Sequence, residues 1–234
     1  MIIAVVNQKG GVGKSTISAH LAIWLKERGA RVALIDSDAQ SSTSQWVKEA
    51  SPELPIFRLQ TADDVLEQIP VIQKDFEHLV IDGPGSLGDV TRAILFRTDR
   101  ALVPCGPSVL DLRASDQAIK VLRQVQDIRK GPPAAWFVPN KVQVQYRLSR
   151  EFLEEASRLG IPASSPLKLR QAFADAVVQG TVVWKLGRGA KDADEEIQQL
   201  FQEITQHGSN LTTASAAAPE TLDVGSSSGN AASA

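Results

Sequence analysis

The 234-residue chain predicts an α/β fold: a mostly parallel, twisted sheet with helices on both faces. Three observations carry this. Short, near-continuous runs of Val, Ile, Leu and Ala alternate along the chain with longer stretches of helical periodicity, as in a parallel sheet buried on both sides. The first apolar run passes straight into a glycine-rich stretch, NQKGGVGKS, that opens the first helical stretch. Hydrophobic residues make up 43% of the chain and charged residues 22%, the balance of a globular domain with a sizeable core.

The elements follow in order. IIAVVN (2–7) reads as a strand. Residues 15–29 read as a helix, with Ile17, Leu21 and Leu25 at spacing four and Gly29 as its stop. RVALID (31–36) is a second buried strand, followed by a helix over 41–50, a strand over 56–59, a helix over 62–69 and a strand over 77–83. A short helix (88–96) leads to the strand RALVP (100–104). The long helix 108–129 ends before Gly131-Pro132-Pro133, and AAWFVPN (134–140) is the next strand. Helices are predicted over 148–159, ended by Gly160, and over 168–179 and 192–206. From Gly208 onward the composition turns to Ser, Ala, Thr, Gly and Asn, which predicts a disordered tail over 208–234 behind a single domain over 1–207.

Composition removes several classes. Cys105 is the only cysteine, so no intramolecular disulfide framework or four-cysteine metal site can form within one chain. The apolar start is short and lacks a basic leader, so it reads as a strand rather than a signal peptide. No apolar run approaches the roughly 20 residues of a membrane span, and a cytoplasmic protein is the expectation. Net charge is −2, but it is unevenly spread. Residues 141–191 hold nine basic and four acidic side chains, a local footprint suited to a polyanion, whereas 192–234 hold seven acidic and no basic ones.

The glycine-rich stretch lies between a strand and a helix, where a phosphate-binding loop belongs. Glycines let successive N–H groups turn inward toward phosphate oxygens, and the helix adds its positive N-terminal end. The common pattern G-x-x-x-x-G-K-[ST] is met at Gly13, Lys14 and Ser15, but Gln8 stands where the first Gly belongs. Lys9-Gly10-Gly11-Val12-Gly13-Lys14-Ser15-Thr16 instead resembles the deviant Walker A loop, K-G-G-x-G-K-[ST], of the ParA/MinD superfamily. It is most similar to the short, ParF-like partition ATPases, since no DNA-reading domain precedes Met1.

That resemblance implies a P-loop NTPase that binds ATP and Mg²⁺ through Gly10 to Thr16 and hydrolyses ATP weakly on its own. Lys14 would serve the phosphates of its own ATP, while Lys9 would reach across an ATP-bound homodimer to those of the partner. Ser15 would bind Mg²⁺. Asp36-Ser37-Asp38-Ala39-Gln40 resembles the D-x-D-P-Q segment of such proteins, with Asp38 positioning the attacking water and Asp36 supporting Mg²⁺-bound waters. Ala39 departs from the common Pro. HLVIDGPGS (78–86) resembles a Walker B strand with Asp82 on Mg²⁺, then Gly83, Pro84 and Gly85 as a γ-phosphate sensor. Asn140 would recognise adenine, and PCGPSVLDL (104–112) would flank the nucleotide and the dimer interface.

The resemblance further implies non-specific DNA binding by the dimer, a ParB-like adaptor that stimulates hydrolysis, and a nucleoid-associated protein that segregates or spaces a cargo: a plasmid, a chromosome or a protein organelle. Lys168, Arg170, Lys185 and Arg188, with Lys191, are the expected DNA contacts. The final helix carries an acidic face that anionic lipid would repel, so its apolar face (Ile197, Leu200, Phe201, Ile204) is expected to dock on the core rather than on a membrane. The competing readings are a P-loop metabolic ligase and a P-loop spatial regulator that recruits protein machinery.

Overall fold

Six of the apolar runs form one sheet in the computed structural model, which describes residues 1–143, 152 and 154–206. The strands are β1 (Ile2–Val5), β2 (Val32–Asp36), β3 (Ile56–Arg58), β4 (His78–Asp82), β5 (Arg100–Cys105) and β6 (Ala134–Pro139). Their spatial order is β3-β2-β4-β1-β5-β6, and every neighbouring pair is parallel. The helices are α1 (Lys14–Glu27), α2 (Ser42–Ala50), α3 (Ala62–Ile72), α4 (Asp89–Arg97), α5 (Val109–Arg129), α6 (Gln171–Val178) and α7 (Lys191–Gln206).

Strand alternation sorts the core into two layers. Ile3, Val5, Val32, Leu34, Val80, Leu102, Trp136 and Val138 face α1 and α7. Ile2, Ala4, Ala33, Ile35, Leu79, Ile81, Ala101 and Val103 face α3, α4 and α5. The helices therefore cover both faces, as the near-continuous apolar strands predict. Helix α1 is buried without a break from Ile17 to Leu25 because the sheet lies on one side and α2, α7 and residues 182–184 lie on others. The apolar face of α7 docks on this core, with Ile197, Leu200, Phe201 and Ile204 all fully buried. Each such side chain contributes about 2 kcal/mol on removal from water. Cys105 is buried at the end of β5, and burial pushes its thiol up to about 12, so it carries no reactive thiolate.

Two helix boundaries differ from the sequence reading. Helix α3 runs on through Pro70 to Ile72 instead of stopping at Ile69. Proline leaves the carbonyl four residues back without its helical donor, and Arg97 Nη2 supplies one to Leu66 O at 2.7 Å. The helix expected from 168 begins only at Gln171. Residues 162–169 instead run beside β6 and its continuation: Phe137 N donates to Pro162 O, Ser164 N to Phe137 O, Val142 N to Leu167 O and Leu169 N to Val142 O, at 2.9–3.1 Å. Lys168 and Arg170 therefore sit on extended backbone. Residues 148–151 and 153 of the helix expected over 148–159, and the whole of 208–234, lie outside the described residues, while 152 and 154–156 are helical. The described end of that helix is the short 3-10 turn Ser157–Leu159, closed by Gly160 at φ 70°.

A buried imidazole ties three of these elements together. His20 on α1 meets Trp46 of α2, Phe173 of α6 and Trp184 edge-on, with ring centroids 5.1–5.7 Å apart. Its Nδ1 lies 2.7 Å from Thr16 O, and its Nε2 accepts the Val183 N–H at 3.2 Å, so the neutral ring with the proton on Nδ1 satisfies both bonds. Burial lowers its pKa to about 4, and only the Thr16 carbonyl opposes this. A histidine whose folded pKa lies below its unfolded value of about 6.5 stabilises the fold fully above pH 6.5 and loses that contribution as pH falls toward 4. Unfolding free energy measured by urea denaturation should drop by about 3 kcal/mol from this group between pH 7 and pH 4. A His20→Phe variant should show a flatter profile over that window, and an equally steep one would show that the acid lability arises elsewhere.

Candidate functional site

The glycine-rich loop leaves β1 at the carboxyl edge of the sheet, where open parallel sheets hold their ligands. Asn7 fixes its entry: Nδ2 donates to Pro104 O at 2.8 Å and to Ser115 Oγ at 2.9 Å, and Oδ1 accepts from Lys9 N. The loop then turns through Gly11 at φ 76° and Gly13 at φ 99° into α1. Glycine is required at 13 on two counts, since a Cβ there would also stand 2.1 Å from Asn140 Nδ2.

The two loop lysines occupy different environments. Lys14 is buried, and its Nζ donates to Lys9 O at 3.3 Å across the mouth of the loop. Desolvation lowers its pKa, with the Asp82 and Asp38 carboxylates pulling the other way. Lys9 is exposed on the rim. One cation thus faces into the loop and the other faces out of the molecule.

The strand-end carboxylates face each other in register, Asp36 of β2 beside Asp82 of β4, and both are fully buried. Asp82 Oδ2 accepts from Ser15 Oγ at 2.8 Å and Thr43 Oγ1 at 2.5 Å, and Oδ1 accepts from Ser18 Oγ at 3.2 Å. Burial pushes its pKa up to about 6, the hydroxyls of Thr43, Ser15 and Ser18 oppose the rise, and the nearby Asp36 adds to it. Asp36 anchors the following segment: Oδ2 accepts from Ser44 N at 2.9 Å and Ser44 Oγ at 2.5 Å, and Oδ1 from Asp38 N at 3.1 Å. Asp38 is half-buried and accepts from Gln40 N at 2.9 Å. Gly83 follows Asp82 where β1 and β4 run closest, and a Cβ there would sit 2.8 Å from Val5 O.

Of the residues the sequence assigns to Mg²⁺, the fold brings Ser15 and Asp82 together and turns Asp36 toward Ser44. A hydroxyl beside an ionised carboxylate is the hard-oxygen donor set that Mg²⁺ takes when phosphates and waters complete its shell. Among the described residues no cluster of three His, Cys, Asp or Glu side chains forms an all-protein cage.

A cavity of about 480 Å³ opens beside the loop, lined by Gly13 to Ile17, Asn140 and Lys141, and walled by Leu167 to Gln171, Phe173 and Val177. Its size and mixed lining suit a small-molecule ligand. Asn140 Nδ2 donates to Val12 O at 2.7 Å and Lys141 Nζ to Gly11 O at 2.7 Å, so the residues after β6 brace the loop directly. Sequence reasoning missed Ser18, Lys141, Thr43 and Ser44. The run SSTS directly after the D-S-D segment was a legible signal for the last two.

The basic side chains expected to face DNA are largely paired. Arg170 bonds Asp192 and Glu196, each at 2.7 Å, Lys168 lies 3.2 Å from Glu196, and Lys185 lies 2.7 Å from Glu27. Lys168 and Arg170 also wall the cavity, whereas Lys185 and Arg188 are exposed on turns away from its lining.

Residues 3–183 match the CobQ/CobB/MinD/ParA nucleotide binding domain. The chain belongs to this family and is an ATPase of the ParA/MinD type. It is 33% identical over 208 residues to "Maintenance of carboxysome distribution protein A" of Halothiobacillus neapolitanus, covering 86% of this chain and 95% of that one. Among solved structures it resembles the ATP complex of an Asp-to-Ala variant of Cyanothece McdA, with TM-score 0.75, 15% identity and coverage of 88% and 96% of the two chains. It also resembles cobyrinic acid a,c-diamide synthase of Mycobacterium smegmatis with bound ATP analogue and magnesium, with TM-score 0.66, 22% identity and coverage of 86% and 94%. At those identities the two structural likenesses are likenesses of fold.

Gly13 tests the loop geometry. Gly13→Ala forces a Cβ into the Asn140 amide at a left-handed φ, and the strain should cost about 1–3 kcal/mol. Thermal unfolding should show a lower midpoint than wild type and no upward shift on adding ATP and Mg²⁺. A wild-type midpoint with a normal ATP shift would contradict the close packing of Asn140 on the loop.

Proposed function

We propose that this protein is a positioning ATPase whose ATP-bound form is a sandwich dimer that binds DNA without sequence preference. The observation that carries the reading is the division of labour between the loop lysines: Lys14 buried on the loop's inner side, Lys9 exposed on its rim. ATP would place its phosphates within the loop, contacted by the backbone of Gly10 to Thr16 and by Lys14, which leaves Lys9 O for a phosphate oxygen. Asn140 and the cavity beside it would take the adenine. Lys9 would reach the phosphates of the partner's ATP. Two opposed triphosphates repel strongly without that cation, so closure of the dimer depends on Lys9.

Ser15 and Asp82 would hold Mg²⁺, which supplies neutralising charge at the β- and γ-phosphates. Asp38, held by the Gln40 N–H, would orient the attacking water. The water oxygen would form a bond to the γ-phosphorus as the bond to the β–γ bridging oxygen breaks, ADP leaving with that electron pair and the water's proton passing to a phosphate oxygen. A ParB-like adaptor would stimulate this step by ordering the 36–44 segment. Loss of the γ-phosphate removes the ligand of Lys9 and opens the dimer.

DNA binding would rest on the basic residues of the C-terminal third. Exposed ion pairs contribute at most about 1 kcal/mol, so Lys185 can exchange Glu27 for a DNA phosphate at little cost. Arg188 lies exposed on the adjacent turn. Lys168 and Arg170, which wall the cavity, would contribute less than the sequence alone suggests. Similarity to a protein named for carboxysome distribution favours a protein organelle as cargo, and the proposed DNA binding implies a cytoplasmic, nucleoid-associated setting. No helix among the described residues is long and apolar enough to cross a membrane.

Light scattering and a DNA-binding assay on two unrelated duplexes test this together. With ATP and Mg²⁺ the wild type should dimerise and bind both duplexes equally, losing orders of magnitude in affinity between roughly 50 and 200 mM salt. Lys9→Ala should remain monomeric and off DNA. The double variant Lys185→Ala, Arg188→Ala should dimerise yet release DNA. A Lys9→Ala dimer would refute the partner-directed role, and undiminished DNA binding by the double variant would place the DNA face elsewhere.

A further inference from the structure

Thr43 occupies an acceptor position that the proposed cation site requires. Its hydroxyl is almost fully buried and donates to Asp82 Oδ2 at 2.5 Å, the same oxygen that accepts Ser15 Oγ at 2.8 Å. A carboxylate oxygen offers two lone-pair sites, and here both are taken. When a cation binds the Ser15 oxygen, Ser15 can keep its proton on Asp82, because the cation uses an oxygen lone pair instead. A water on that cation can reach Asp82 Oδ2 only where Thr43 now stands.

Thr43 is not a loose surface hydroxyl. It lies in the first turn of α2, next to Ser44, whose N–H and hydroxyl both bond Asp36. One turn further, Trp46 Nε1 donates to Thr181 O at 2.9 Å, and its ring meets His20. These bonds on either side hold Thr43 against Asp82.

We propose that Thr43 is a positioning residue: its hydroxyl ties the start of α2 to Asp82 Oδ2 and competes there with the shell of an arriving cation. This rests on the assignment of Ser15 and Asp82 as the Mg²⁺ site. The competition lowers Mg²⁺ affinity.

The test is Mg²⁺ titration of the ADP-bound protein at pH 8 by calorimetry, for wild type, Thr43→Val and Thr43→Ser. Thr43→Val keeps the shape and removes the hydroxyl, so it should bind Mg²⁺ about tenfold more tightly, as expected for one lost hydrogen bond to a charged acceptor. Thr43→Ser restores the donor and should match wild type. Thr43→Ala is the second hydroxyl-free variant should Val disturb the helix. Equal or weaker Mg²⁺ affinity in the hydroxyl-free variants, with ADP affinity in EDTA intact, would overturn the competition. Ser15→Ala separates the two ideas: unchanged Mg²⁺ affinity there would remove the metal-site assignment and the competition together, whereas weakened affinity there leaves the Thr43 variants to decide the competition alone.

Discussion

Asp82 is a carboxylate with no solvent exposure, placed at the end of β4 and surrounded by hydroxyls from two different helices. Burial disfavours its charge, and the three donors restore enough of the balance that it titrates near 6 rather than remaining neutral at physiological pH. Every other part of the site is arranged around this anion. Ser15 and Ser18 tie it to the helix that follows the phosphate loop, and Thr43 ties it to the helix that follows Asp38. Lys14 stands near enough for the Asp82 charge to offset part of its desolvation. A cation or a γ-phosphate entering here meets a preorganised charge array, and any change at Asp82 reaches both helices through direct hydrogen bonds.

The same economy of charge appears in the C-terminal third. The sequence separates a basic segment from an acidic one, and the fold brings them together: Arg170 and Lys168 lie on Asp192 and Glu196 of α7. This pairing closes the far wall of the cavity beside the loop. Lys185 and Arg188, both exposed, follow the Thr181–Val183 stretch that contacts Trp46 and His20. Helix α2 and the turns that carry Lys185 and Arg188 are thus linked through an aromatic cluster.

Much of this was legible in the sequence because it is local. The strand–loop–helix order, the Gly13-Lys14-Ser15 turn, the apolar stripe of α7 and the strand-end position of Asp82 all follow from short-range periodicity and spacing. What was not legible depends on distant partners. Helix α3 passes Pro70 because Arg97, from another helix, supplies the missing donor. The helix read from residue 168 starts only at Gln171, because residues 162–169 hydrogen-bond along β6 and its continuation. The bonds from Ser44, eight residues on, to the Asp36 carboxylate are likewise not readable from the motif. The acidic partners of Lys168 and Arg170 lie more than twenty residues away along the chain.

Under the proposed function, Asp82 makes this phosphate loop a metal-dependent nucleotide site. The most direct measurement is ATP affinity with and without Mg²⁺ for Asp82→Asn beside wild type. The account predicts that the variant keeps the metal-independent affinity, which rests on the loop backbone and Lys14, and loses most of the gain that Mg²⁺ gives the wild type. A full Mg²⁺-dependent gain in Asp82→Asn would contradict it.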